Sequence, residues 1–98
     1  MLEKLIEMNN LETGINYLKE GNTEQAEHFI NLAILDDNQN ADVYYNRGKV
    51  NRMKGDLIAA LNDFHKAYNI DPNHCEAKVS IDMINSIISF RNPDLLNP

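Results

Sequence analysis

Few residues of this chain have the type and spacing that reaction chemistry needs. Three histidines (His28, His65, His74) and one cysteine (Cys75) are the candidate ligands and nucleophile. His74 and Cys75 are adjacent, so they cannot chelate one ion with helical ligand spacing, and neither HExxH nor CxxC occurs. A thiol near a helix N-terminus gains some acidity, but Cys75 reads as a small residue at a loop-to-helix junction. The four glycines stand singly, so no phosphate-cradling loop is present. Asp36-Asp37 lacks the surroundings of a calcium loop and reads as solvated. One cysteine excludes an intramolecular disulfide and a Cys-rich zinc site. The expectation is a non-catalytic protein with no metal and no cofactor.

Whatever this chain does must then come from surfaces, and surfaces need elements to carry them. With 98 residues and 43% hydrophobic content, the chain is expected to form one domain over 1–98. A chain of this size buries roughly 65% of its unfolded surface, enough for a modest core. The formal net charge of −6 opposes nonspecific nucleic-acid binding and adhesion to anionic membranes. No run approaches the ~18 apolar residues of a membrane span. Met1 to Asn10 lacks the pattern of a signal peptide, which makes the cytoplasm the expected compartment. Asparagine is the commonest residue and is scattered, consistent with coding bias and helix caps.

The organising feature is a repeat. Gly14 and Gly48, Gly21 and Gly55, Ala26 and Ala60, Ala33 and Ala67, and Ile30 and Phe64 are all 34 residues apart. Gly21 and Gly55 suit the left-handed position that follows a helix. Asn22 with Gln25, Asp56, and Asn73 with Glu76 read as helix starts. Apolar residues recur at three and four, as in Leu57, Ala60, Leu61, Phe64, Ala67 and Tyr68. Five helices are therefore expected, at about 2–20, 23–36, 41–54, 57–70 and 74–91, with a break near Asn9-Asn10 and a non-helical tail over 92–98. Gly14, Gly48, Ala26 and Ala60 let paired helices cross closely, with Ile30 and Phe64 filling the space beside them.

These residues resemble the tetratricopeptide repeat. The unit over 7–40 supplies Gly14, Tyr17, Gly21, Ala26, Ile30 and Ala33; the unit over 41–74 supplies Tyr44, Gly48, Gly55, Ala60, Phe64, Ala67 and Pro72. Departures are Asn10 in place of an aromatic, Asn38 in place of proline, Thr13 and Arg47 in place of leucine, and Asn51 in place of tyrosine. The resemblance implies an all-α protein: a small stand-alone pair of helix-turn-helix hairpins with a capping helix over 74–91, forming a right-handed α-solenoid. It also implies a concave groove, lined by the first helix of each unit, that binds a protein or peptide partner. By position that lining is Met8, Leu11, Ile15, Leu18 and Lys19, then Asp42, Tyr45, Asn46, Lys49, Arg52 and Met53, with Glu76, Val79, Met83 and Ile87 from the last helix. Tyr45, Lys49 and Arg52 share one helix face, and an aromatic beside two cations suits an acidic segment with apolar flanks. A subclass of the family clamps the carboxyl terminus of a chaperone; of its five positions, here Leu11, Ile15, Asn46, Glu76 and Ser80, only Asn46 fits, so that subclass is rejected.

The last helix carries two apolar stripes. Ala77, Ile81, Ile84 and Ile88 form the one expected to pack on the second unit. Val79, Met83, Ile87 and Phe90 form a second that a simple cap does not need. Three uses compete for it: cover by Leu95 and Leu96 of the tail, self-association into a homodimer, or a share in the ligand groove.

Overall fold

A computed structural model describes residues 8–91 of the chain. The elements are α1 (Asn10–Lys19), α2 (Thr23–Asp36), α3 (Ala41–Met53), α4 (Leu57–Ile70) and α5 (Cys75–Arg91). The described residues are all-α and pack as α1 on α2 and α3 on α4, with α5 against α4. The segment ahead of Met8 and the tail with Leu95 and Leu96 lie outside the described residues.

Each helix begins at a side chain that accepts an otherwise unsatisfied backbone N–H. Asn9 accepts from Glu12 N at 2.8 Å, Asn22 from Gln25 N at 3.2 Å, Asn40 from Asp42 N at 3.0 Å and Asp56 from Ala59 N at 3.0 Å. The asparagine excess is thus partly a supply of caps. Asn9 also sets the first boundary: Met8 and Asn9 are non-helical, and the helix starts at the break expected near Asn9-Asn10. The fifth start differs from expectation. Asn73 is held in the turn, donating its N–H to Asp71 Oδ1 at 3.0 Å, and the cap is His74, whose Nδ1 accepts from Ala77 N at 3.1 Å.

The hairpin turns follow one recipe. Gly21 has φ 78° and Gly55 has φ 85°, the left-handed region that side chains disfavour. Around them Gly21 N bonds Leu18 O and Asn22 N bonds Tyr17 O; Gly55 N bonds Arg52 O and Asp56 N bonds Asn51 O. This double bond pattern closes a helix and reverses the chain.

The core is a chain of three linked clusters. Leu18, Ala26, Ile30, Ala33, Val43 and Val50 join the first unit to α3. Ala60, Phe64, Ile81, Ile84 and Ile88 join α4 to α5, as expected of the first stripe. Ala41, Tyr44, Ala67 and Ala77 bridge the second unit to the start of α5. Leu18 belongs to this interior and not to a groove lining.

Sites where the sequence departs from the repeat pattern are compensated in space. In the first unit Tyr17 stacks on Phe29, ring centroids 5.7 Å apart. The same repeat positions in the second unit hold Asn51 and Asp63, and Asn51 Nδ2 donates to Asp63 Oδ2 at 2.8 Å. Arg47, one turn before Asn51, completes the arrangement with a two-pronged pair, Nε to Oδ2 at 3.0 Å and Nη2 to Oδ1 at 2.9 Å. Asn10, at the position of buried Tyr44, is tied to Asp36 at 2.8 Å instead of filling space.

Two outcomes follow for stability. A methyl group on Gly48 would lie 2.5 Å from Phe64 Cε1, on a fully buried ring. Alanine gains about 0.8–1.0 kcal/mol in helix propensity, but overpacking typically costs ~1–3 kcal/mol; Gly48→Ala should therefore lower the urea-unfolding free energy. Asp63→Phe strands Arg47 and Asn51 and should cost about 2 kcal/mol, below the buried-pair range because the Arg47 side chain is 34% exposed. Adding Arg47→Thr and Asn51→Tyr, the residues of the first unit, should recover most of that loss in the same assay.

Candidate functional site

The 34-residue offset assigns matching positions to the first helix of each unit and to α5. Leu11, Tyr45 and Val79 occupy one such position; Ile15, Lys49 and Met83 occupy the next turn. On α1, Leu11 and Ile15 are half-buried. On α3, Tyr45 and Lys49 are half-buried and Arg52 is exposed. On α5, Val79 is 58% and Met83 50% exposed, with Ile87 half-buried beside them and Phe90 90% exposed near the helix end. The two apolar features read separately from sequence thus share repeat positions.

Tyr45 is the fixed point of this face. Its ring lies 5.6 Å from that of Phe64 and 4.9 Å from that of His74, and the Lys49 ammonium sits 5.5 Å from its centre. A cation over an aromatic face is held electrostatically without a carboxylate. Lys49 and Arg52 pair with no described acidic residue; the described ion pairs are Arg47–Asp63, Lys54–Glu27 and His74–Asp42. Asn46 stands apart from Leu11, Ile15, Tyr45, Lys49 and Arg52. It is 6% exposed, and its amide donates to the Asp42 carbonyl one turn earlier at 2.8 Å. Its side chain therefore serves the helix and presents little surface to a partner.

Charge elsewhere is spent on structure. Hydrogen bonds donated to Asp63 hold the Arg47 guanidinium above its ordinary range against the opposing effect of burial. The hydrogen bond to Glu27 at 2.6 Å does the same for exposed Lys54. A depression lined by Thr23, Glu24, Glu27, His28, Asn31 and Lys54 has that pair in its wall. No three His, Cys, Asp or Glu side chains converge as a metal site among the described residues. No described helix is long and apolar enough to cross a membrane.

Two groupings escape a reading of the sequence alone. Arg47 and Asp63 look like a lost core leucine and a solvated acid until their hairpin partners are known; the signal was their alignment with Thr13 and Phe29 at the repeat offset. His74 looks like a neighbour of Cys75, yet it reaches back 32 residues to Asp42 at 2.8 Å.

Helical hairpins packed in sequence around one linked core define the class: an all-α helical-repeat protein. Residues 41–74 match the sequence model of the tetratricopeptide repeat, covering α3, α4 and the turn after them. The match identifies the second unit as a tetratricopeptide repeat, and the first unit shares its helix-turn-helix form and its 34-residue spacing. No curated protein matches the chain.

Residues that face outward without a structural partner should be dispensable for folding. Arg52→Ala and Val79→Ala should each change the unfolding free energy by no more than about 0.5 kcal/mol in urea titrations.

Proposed function

We propose that the chain is a non-catalytic interaction module that seats a segment of a partner protein across the face formed by α1, α3 and α5. Tetratricopeptide repeats are in general protein-interaction scaffolds, and the carrying observation here is the Tyr45–Lys49 pair with Arg52 beside it. A chain of net charge −6 keeps these two cations without acidic partners among its described residues. Leu11 and Ile15 flank them on one side and Val79, Met83 and Ile87 on the other. The partner segment that complements this layout carries a carboxylate near its centre and apolar side chains on both flanks.

A second reading uses the α5 strip for self-association. It is favoured by Phe90, which is 90% exposed and lies beyond the repeat positions shared with α1 and α3.

Peptides selected from a random display library on the wild-type protein should combine acidic and apolar residues. Their affinity should fall at least about tenfold, equivalent to ~1.4 kcal/mol, for the variant with Tyr45, Lys49 and Arg52 all changed to alanine. Equal binding to that variant would remove the site from this face. Light scattering distinguishes the second reading: a dimeric mass that Met83→Glu converts to monomer would support self-association, and a strictly monomeric wild type would eliminate it.

A further inference from the structure

We infer that His74 is a positioning residue that fastens the capping helix α5 to the candidate face, and that only its neutral ring protonated at Nε2 can do so. The link to partner binding rests on the reading above; the fastening itself does not.

The geometry fixes the tautomer. Nδ1 accepts the Ala77 N–H at 3.1 Å, which requires a bare lone pair on that nitrogen. Nε2 lies 2.8 Å from Asp42 Oδ1, an acceptor, so the ring proton sits at Nε2 and donates to the carboxylate. The ring is 7% exposed and packs against the Tyr45 ring at 4.9 Å. One side chain therefore caps α5, holds the first turn of α3 and supports the central aromatic of the face.

The equivalent junction between the first and second units shows what is special. Asn40 occupies the same repeat position and caps α3 through Asp42 N. Both turns use the same preceding bond, Gln39 N to Asp37 Oδ1 at 2.9 Å and Asn73 N to Asp71 Oδ1 at 3.0 Å. An amide suffices to cap; the imidazole adds the reach to Asp42 and the contact with Tyr45.

Imidazole changes charge between about pH 5 and 8. A second ring proton must go to Nδ1, where it would oppose the Ala77 N–H, donor against donor. The charged groups around the ring decide which side yields. Asp42 on α3 and Asp71 and Asp37 in the two turns line one depression with His74. On α3, Lys49 lies across Tyr45, and on α5, Glu76 is exposed in the first turn. The carboxylates attract an imidazolium toward Asp42, so the Nε2 side holds and the Ala77 side opens. Acid thus unfastens the start of α5 and changes the charge and seating of the ring against Tyr45.

The test is nitrogen-15 NMR of the full chain, with His28 and His65, both exposed, as internal references. At neutral pH the His74 ring should show a bare Nδ1 and a protonated Nε2. As His74 titrates, the Ala77 amide protection factor should fall at least about fivefold, the effect of one ordinary hydrogen bond lost, and the Tyr45 ring signals should move with it. His74→Asn, the residue of the first junction, should keep Ala77 protected with no pH dependence over that range. A protonated Nδ1 at neutral pH, flat Ala77 protection through the His74 titration, or the same acid loss in His74→Asn would each overturn the inference. Should His74→Asn fail to fold, the wild-type tautomer and titration decide alone. None of these readings involves a partner, so they stand or fall apart from the groove; peptides bound at the face should then weaken in acid for wild type and not for His74→Asn.

Discussion

The near-contact of paired helices at two glycines governs everything else in this array. With no side chain at Gly14, Ile30 reaches the α1 backbone; with none at Gly48, Phe64 reaches that of α3. Ala26 and Ala60, both without exposure, keep the second helix small where the crossing is tight. Close approach lets a short chain fill its interior with few large residues, at the density that cohesion requires. It also settles orientation. Once the inner side of each first helix is committed to its own hairpin, its other side is left half-buried, and that side is where Leu11, Ile15, Tyr45 and Lys49 lie, Leu11 and Tyr45 still resting on the core at its edge.

Around those fixed crossings, the two units fill equivalent spaces with opposite chemistry. Tyr17 against Phe29 is an apolar solution; Arg47 and Asn51 against Asp63 is a polar one. Mixing them would bury an unmatched polar group, which costs more than either complete solution. The three polar residues of the second unit therefore form one choice and not three departures. The same logic links Asn10 with Asp36, against buried Tyr44 and half-buried Ile70 at those positions in the next unit.

Periodic features were legible in the sequence, and pairwise ones were not. The glycine offset anticipated both left-handed turns, and the expected helix over 57–70 coincides with α4 because Asp56 and Pro72 bound it chemically. The inner stripe of α5 followed from spacing alone, and Ala77, Ile81, Ile84 and Ile88 are all buried. Spacing alone does not tell which side of a helix meets its neighbour at a given level: it places Leu18 and Asn46 outward, and both turn in. Nor could it choose between adjacent cap candidates. Asn73 is the better N-cap by type, but Asp71 already engages its N–H within the turn, and an imidazole one residue later completes the first turn of α5.

The capping helix explains why the candidate face need not end at the second unit. A helix that only sealed the array would present polar residues outward. Here, on the proposed reading, α5 continues the face: Val79 extends the position of Leu11 and Tyr45, and Met83 that of Ile15 and Lys49. Apolar residues at the two outer strips and cations at the middle one set an order across the surface that a matching segment must reproduce. Such an order discriminates by arrangement as well as by composition, because a carboxylate displaced onto an outer strip loses its cation and is desolvated against Met83 or Leu11. The geometry of the middle strip then depends on how firmly α5 is docked, since Tyr45 rests on Phe64 from α4 and on His74 at the entry to α5. On the proposed reading, recognition and capping are carried by the same few contacts.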